Sequence, residues 1–150
     1  MKFYRRHGAN IIESKTLVSV AGFLSAGSEG YEKAMAAAFF PFMFVRNVEF
    51  ATPIFVNHER IHFAQQLETL FIGSIFIHLV EDLYSGLFKR LKAEERYLFR
   101  SSEQEAYRNQ ENFDYLSSRR FFSQFKYIKD KRKLSFIDGS APRVLIGEKF

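Results

Sequence analysis

The chain has 150 residues, 47% of them apolar, and a formal charge of +5. That length and apolar content suit one domain, residues 1–150, with a buried core, and argue against intrinsic disorder. Cysteine is absent, so disulfides and thiolate metal sites are excluded, and any metal must be held by His, Asp or Glu.

Nineteen Phe and seven Tyr, with no Trp, make an unusual aromatic load. It serves either a bulky core or an apolar surface turned toward a partner or lipid, and burial is the commoner use. The N-terminal stretch MKFYRRHGANIIESK is charged, with no apolar run behind it. No secretory signal is therefore expected, and a cytoplasmic location is. Residues 1–12 and 130–150 read as the less ordered ends.

TLVSVAGFLS, residues 16–25, is rich in β-branched and apolar residues and reads as extended, stopping at the turn signal AGSEG. YEKAMAAAFF begins as helix. FFPFMFVRNVEF, residues 39–50, reads as a strand with Pro41 at its start or on an edge. Thr52 and Pro53 then form a helix start, Thr as N-cap and Pro at the first helical position. Apolar residues recur at helical spacing to about Phe88. Within that stretch TLFIGSIFIHLV, residues 69–80, is too short for a bilayer, which needs about 20 apolar residues, so it reads as a buried helix. Peripheral membrane contact stays open.

KRLKAEER reads as a polar connection, and residues 101–128 as a second long helix in which Ser102 and Glu105 fit a capping box. The tail holds a turn, DGSAP, and a short strand, RVLIG. Together these elements give an α+β domain, strands first and two long helices after. Residues 117–133 carry seven Lys or Arg against one Asp. A solvated helix end and basic loop is the plainer reading. The sharper one is a patch for anionic lipid or, less expected, nucleic acid, with aromatic residues interleaved.

The chain has four histidines, and two of them fall in His58-Glu59-Arg60-Ile61-His62. On a helix, positions four apart lie on one face, so both imidazoles can aim at one ion. Glu59 sits about 100° round, close enough to reach a water without being a ligand. Gln65, Thr69 and Gly73 fall within about 60° of His58 on a straight helix, a strip of small or polar residues that lets another segment approach. A zinc site of this type has three protein ligands and one open position. Glu103 and Glu105 are both candidates for the third; they lie two apart, so only one can face the ion.

With H-E-x-x-H on one helix and SSEQEAY on a later one, the chain resembles gluzincin-type zinc metallopeptidases. In several of those families the later Glu opens an E-x-x-A-D-like motif. Glu103, Ala106 and Tyr107 match it in register, with Tyr107 in place of Asp. The chain also resembles a group of small bacterial proteins, taken to be metallopeptidases, that share H-E-x-I-H-x-x-Q-Q and a later E-x-E-A-Y. The likeness runs from about residue 39 to 128.

The resemblance implies a zincin-like fold and a Zn²⁺ held by His58, His62 and Glu103. It implies Glu59 as general base, with Tyr107 steadying a histidine or an oxyanion. It also implies a peptide or protein substrate; the strand read over residues 39–50 offers an edge that can pair such an extended substrate by β-addition. The rival reading is a metal-stabilised binding module acting through the basic, aromatic C-terminal segment. His78 and Glu81 fall about 200° and 140° from His58 on a straight helix, facing away from the site. Gln65 and Gln66 read as amides packed beside it. A di-iron reading of Glu59-x-x-His62 needs a second Glu-x-x-His, which the chain lacks.

Overall fold

A computed structural model describes residues 1–22, 34–136 and 144–149, and they form a mixed α+β architecture. Strands β1 (Lys2–Arg6) and β2 (Ala9–Glu13) make an antiparallel hairpin from an end expected to be loosely ordered. Its two-residue turn puts both His7 and Gly8 at positive φ, as a type I′ turn requires. Residues 15–22 are helical (α1), although 16–25 reads as extended; residues 23–25 lie outside the described set. Ser14 overrides the β-branched run, its hydroxyl accepting from the Leu17 N–H at 3.3 Å.

The helix expected from YEKAMAAAFF is a strand over its described part, β3 (Ala36–Phe39), paired antiparallel with β4 (Phe42–Val45). Phe40 and Pro41 make the turn, so the single strand expected over 39–50 is a hairpin followed by a 3-10 turn at Val48–Phe50. The sheet order is β1-β2-β4-β3, with β2 and β4 parallel. Ile11, Met43 and Val45 of the sheet pack on Phe55 and Val56 at the start of the next helix, forming the core.

That helix, α2 (Pro53–Glu68), starts as expected, with the Thr52 hydroxyl accepting from the Phe55 N–H at 3.3 Å. It does not run on to Phe88. It ends at Thr69, and α3 (Ile72–Leu87) leaves at 106° to it. The Phe71 N–H reaches back to the Gln66 carbonyl at 2.8 Å and the Leu70 N–H to Leu67 at 3.4 Å. This is a Schellman ending in which Leu70, at φ 50°, holds the place usually given to Gly. The strip of Gln65, Thr69 and Gly73 is therefore broken at the bend and makes no continuous face. Among the described residues no helix is long and apolar enough to cross a membrane.

The polar connection contains α4 (Ala93–Phe99). The second long helix is only α5 (Ser101–Asn109), followed by α6 (Tyr115–Ser118), a 3-10 turn at Ser123–Phe125 and α7 (Lys126–Lys129). Asn57 stops α5 by donating from Nδ2 to the Gln110 and Asn112 carbonyls at 2.9 and 3.1 Å. Asn112 then turns the chain, its side chain accepting from the Asp114 N–H. Strands β5 (Arg132–Phe136) and β6 (Val144–Lys149) close the chain as an antiparallel pair, and the DGSAP turn lies outside the described residues.

The capping box does not form. Glu81, on α3, caps α5 instead, accepting from the Ser101 N–H at 2.9 Å and its hydroxyl at 3.0 Å. Two cations of the basic segment are buried, not solvated. Arg119 bridges Glu68 and Glu105, and Lys131 meets Glu81 at 2.5 Å. Arg119→Met leaves two carboxylates, 6% and 0% exposed, without their cation. Unfolding in urea is expected to show a loss of about 3–5 kcal/mol; a loss under about 1 kcal/mol contradicts the pairing.

Candidate metal centre

The centre lies where α2 faces α5. His58 and His62, one turn apart on α2, point their Nε2 atoms at each other, 3.1 Å apart. Glu103, in the first turn of α5, lies 3.5 Å from His58 Nε2 and 3.4 Å from His62 Nε2. These three residues form a group whose ligand atoms all lie within 4.8 Å of one another, and which can hold a metal ion. His58 and Glu103 are buried and His62 is largely so.

The other ring nitrogens are already engaged. Gln65 donates from Nε2 to the Ser102 carbonyl and to Glu105 Oε2, at 3.1 and 2.8 Å. That fixes its amide orientation, so its Oε1 must accept from His62 Nδ1–H at 2.8 Å. His58 Nδ1 meets Gln110 Oε1 at 3.2 Å. Hydrogens on both Nδ1 atoms leave both Nε2 lone pairs facing inward, beside a carboxylate whose Oε2 is buried without a hydrogen-bond partner. Three electron-rich atoms do not converge in a dry site unless something positive sits among them.

In the ion-free protein a proton does this. Burial alone would lower His62, but the Glu103 carboxylate more than offsets it and pushes His62 up to about 9. Burial would raise Glu103, but His62 and His58 hold it well below the usual carboxylate range. Glu59 is buried beside the group, and its carboxyl is raised by burial, with His58 and His62 opposing.

Glu105, the other candidate ligand, is turned away. Its oxygens take Arg119 Nε at 2.6 Å, the Tyr115 hydroxyl at 2.8 Å and the Gln65 amide. Tyr107 packs its ring against that of His58, centroids 4.4 Å apart and tilted by 58°, while Gln110 takes the imidazole nitrogen. Gln110 lies seven residues after Glu103, two helical turns, and that spacing was the signal available for it. Tyr97, on α4, lies against both Glu103 and Tyr107; burial and the Glu103 charge raise its hydroxyl well above the usual value, so it stays a donor.

His78 does not face away. The bend at 69–71 brings it back, and its Nε2 meets the Ser102 hydroxyl at 2.8 Å. Burial and then Arg100 lower it to about 4, with Glu103 opposing, so it is neutral. Gln66 works at the sheet: it accepts from the Phe40 N–H at 3.0 Å and donates to the Ala38 carbonyl at 2.7 Å. The strand expected to receive substrate, Phe42–Val45, is flanked on both sides by β2 and β3. The edge strands are β1 and β3, and Gln66 already bonds backbone groups at the β3 edge.

Comparison with protein-family models, with curated proteins and with solved structures finds no match.

Metal uptake must displace the His62 proton. Apparent affinity for a divalent ion, followed by calorimetry, is therefore expected to rise about tenfold per pH unit up to about 9, with one proton released. The sign is opposite for the ion-free fold. His62 is raised above the free imidazole value near 6.5, so its contribution to stability is complete below that pH and is lost as pH rises through about 9. A flat affinity profile contradicts the site. Gln110→Ala, which frees His58 Nδ1, is expected to weaken metal binding about 10–100-fold.

Proposed function

We propose that the protein is a zinc-dependent hydrolase of the gluzincin kind, a metallopeptidase with a zincin-like arrangement of helices. The observation that carries this reading is the pair of inward-facing Nε2 atoms, 3.1 Å apart, with the Glu103 carboxylate closing the third side. Two imidazoles and one carboxylate are a donor set that suits Zn²⁺, and three protein ligands leave a position open. A zinc ion held there supplies Lewis acidity, polarising a carbonyl and bringing a water's pKa toward about 7.

The remaining work falls to the chain's own groups. Glu59 is carried on the same turn as His58 but is not among the converging ligands. Its carboxyl, raised by burial, is better matched to accepting a proton near neutral pH than a solvated glutamate. It takes a proton from water and returns it to the leaving amine. Tyr107 and Tyr97 keep their protons, Tyr107 too being raised well above the usual value by burial and by Glu103. Either phenol can donate to an oxygen on which negative charge builds. Gln65 and Gln110 hold the two rings in register with no direct part in the chemistry.

Glu59→Gln separates this reading from a metal-stabilised binding module. The variant is expected to keep its zinc, by elemental analysis, and to cleave a fluorogenic peptide mixture about 10²–10⁴-fold more slowly than wild type. Zinc-loaded wild type without hydrolysis, or a variant that cleaves equally well, sinks the proposal.

A further inference from the structure

Helix α3 is turned inside out. Ser74, His78, Glu81, Asp82 and Ser85 form its inward stripe, at spacings that place them on one face. Ser74 bonds Thr69, His78 bonds Ser102, Glu81 caps Ser101, and Asp82 takes the Arg100 guanidinium through both oxygens, at 2.9 and 2.5 Å. The opposite face is apolar and open: Ile75, Phe76, Leu79, Leu83 and Leu87 are 69, 65, 55, 53 and 69% exposed. A helix on a water-facing surface shows the reverse arrangement. The four polar attachments prevent α3 from rolling over to bury its leucines.

The open face continues beyond the helix. Leu70, at the bend, is 79% exposed, and Phe71 beside it contacts Phe39 of the sheet edge, ring centroids 5.4 Å apart. Glu68, at the base of the bend, accepts from the Phe122 N–H at 3.0 Å, which places the exposed Phe121 and Phe122 at the same corner. Cations flank this surface. Lys89, Arg90 and Lys92 follow α3 directly, and Arg120, Lys126 and Lys129 accompany the aromatic turn; all six are exposed. Residues 83–92 and 115–129 contain no Asp or Glu.

From this inverted helix and its basic flanks we infer that the outer face of α3, with the 70–71 and 121–122 corner, docks on an anionic lipid bilayer. Sixteen residues make a helix about 24 Å long, short of the roughly 30 Å hydrocarbon core, so α3 lies in the interface plane. The apolar face enters the acyl boundary and the flanking Lys and Arg meet anionic headgroups. None of the three ligand residues lies on α3, so this inference stands independently of the hydrolase reading.

The absence of Trp makes the test direct. Phe76→Trp places a single indole on the open face. With vesicles of phosphatidylcholine and phosphatidylserine its emission is expected to shift to the blue and to be quenched by brominated acyl chains. The protein is expected to pellet with these vesicles, less with phosphatidylcholine alone, and less as salt rises. Leu79→Glu/Leu83→Glu alters only exposed positions, so its circular dichroism should match wild type while vesicle partition falls at least about tenfold. Lys89→Glu/Arg90→Glu is expected to lower partition by a similar factor on the mixed vesicles only. The inference is overturned if no protein pellets and the indole does not shift. It is equally overturned if the Leu79→Glu/Leu83→Glu protein partitions like wild type, or if this face instead closes a soluble dimer that the same variant dissociates and that ignores lipid.

Discussion

The fold depends on a polar seam buried between α2 and α5. Asn57, His58 and Gln65 on one helix face Ser102, Glu103 and Glu105 on the other, and all six are at most 5% exposed. Each polar group removed from water without a partner costs about 1–3 kcal/mol, and more where it is charged. Two helices meeting on such faces would separate unless nearly every group found a mate. Most do: Asn57 takes the carbonyls ending α5, Gln65 spans Ser102 and Glu105, and Arg119 closes the far side. The accounting fails at one spot, where two imidazole nitrogens and Glu103 Oε2 face one another. A seam so fully satisfied elsewhere localises its deficit where a cation would cancel it.

The orientation of α3 follows from the same constraint. The first turn of α5 must be capped for Glu103 to be presented, and no residue of α5 does it. Glu81 reaches across from α3 to the Ser101 N–H, with Lys131 neutralising its charge. His78 and Asp82 make further attachments on either side of Glu81 in the sequence. Once α3 spends its polar stripe on the site, its leucines and Ile75 are left exposed among the described residues. The apolar surface is thus a consequence of how the centre is built, and residues 69–80, which read from the sequence as a buried helix, instead turn their apolar face outward.

The centre was more legible than the path of the chain around it. Thr52-Pro53 carries a local signal with a mechanism, and the helix starts there. The H-E-x-x-H spacing places His58 and His62 on one face, since periodicity within a helix needs no knowledge of the fold, whereas the choice of Glu103 over Glu105 rests on the resemblance to E-x-x-A-D-like motifs. The bend at 69–71 had no such signal, because Leu70 occupies a left-handed position without Gly or Pro to announce it. Reading α2 and α3 as one straight helix then put His78 and Glu81 on the wrong side. The β-branched run after Ser14 failed for a different reason: a cap and burial of Val18 outweighed propensity. The long second helix failed because Asn57, 53 residues away, competes for the Gln110 carbonyl.

Glu103 and Glu105 show how environment, not residue type, divides the work. They stand two apart on α5, about 200° round the helix, and both are buried. Glu105 meets a guanidinium, a phenol and an amide, which together occupy both oxygens. Its charge is already compensated, and a metal would have to break that set to recruit it. Glu103 meets two imidazoles whose inward nitrogens are themselves lone-pair donors, and the Tyr97 phenol, and its Oε2 has no hydrogen bond. Glu105 nevertheless acts on the centre, because the Gln65 amide it holds is the one that fixes His62. A carboxylate that is fully satisfied thus orients the ring, and one that is not belongs to the group that can hold a metal ion.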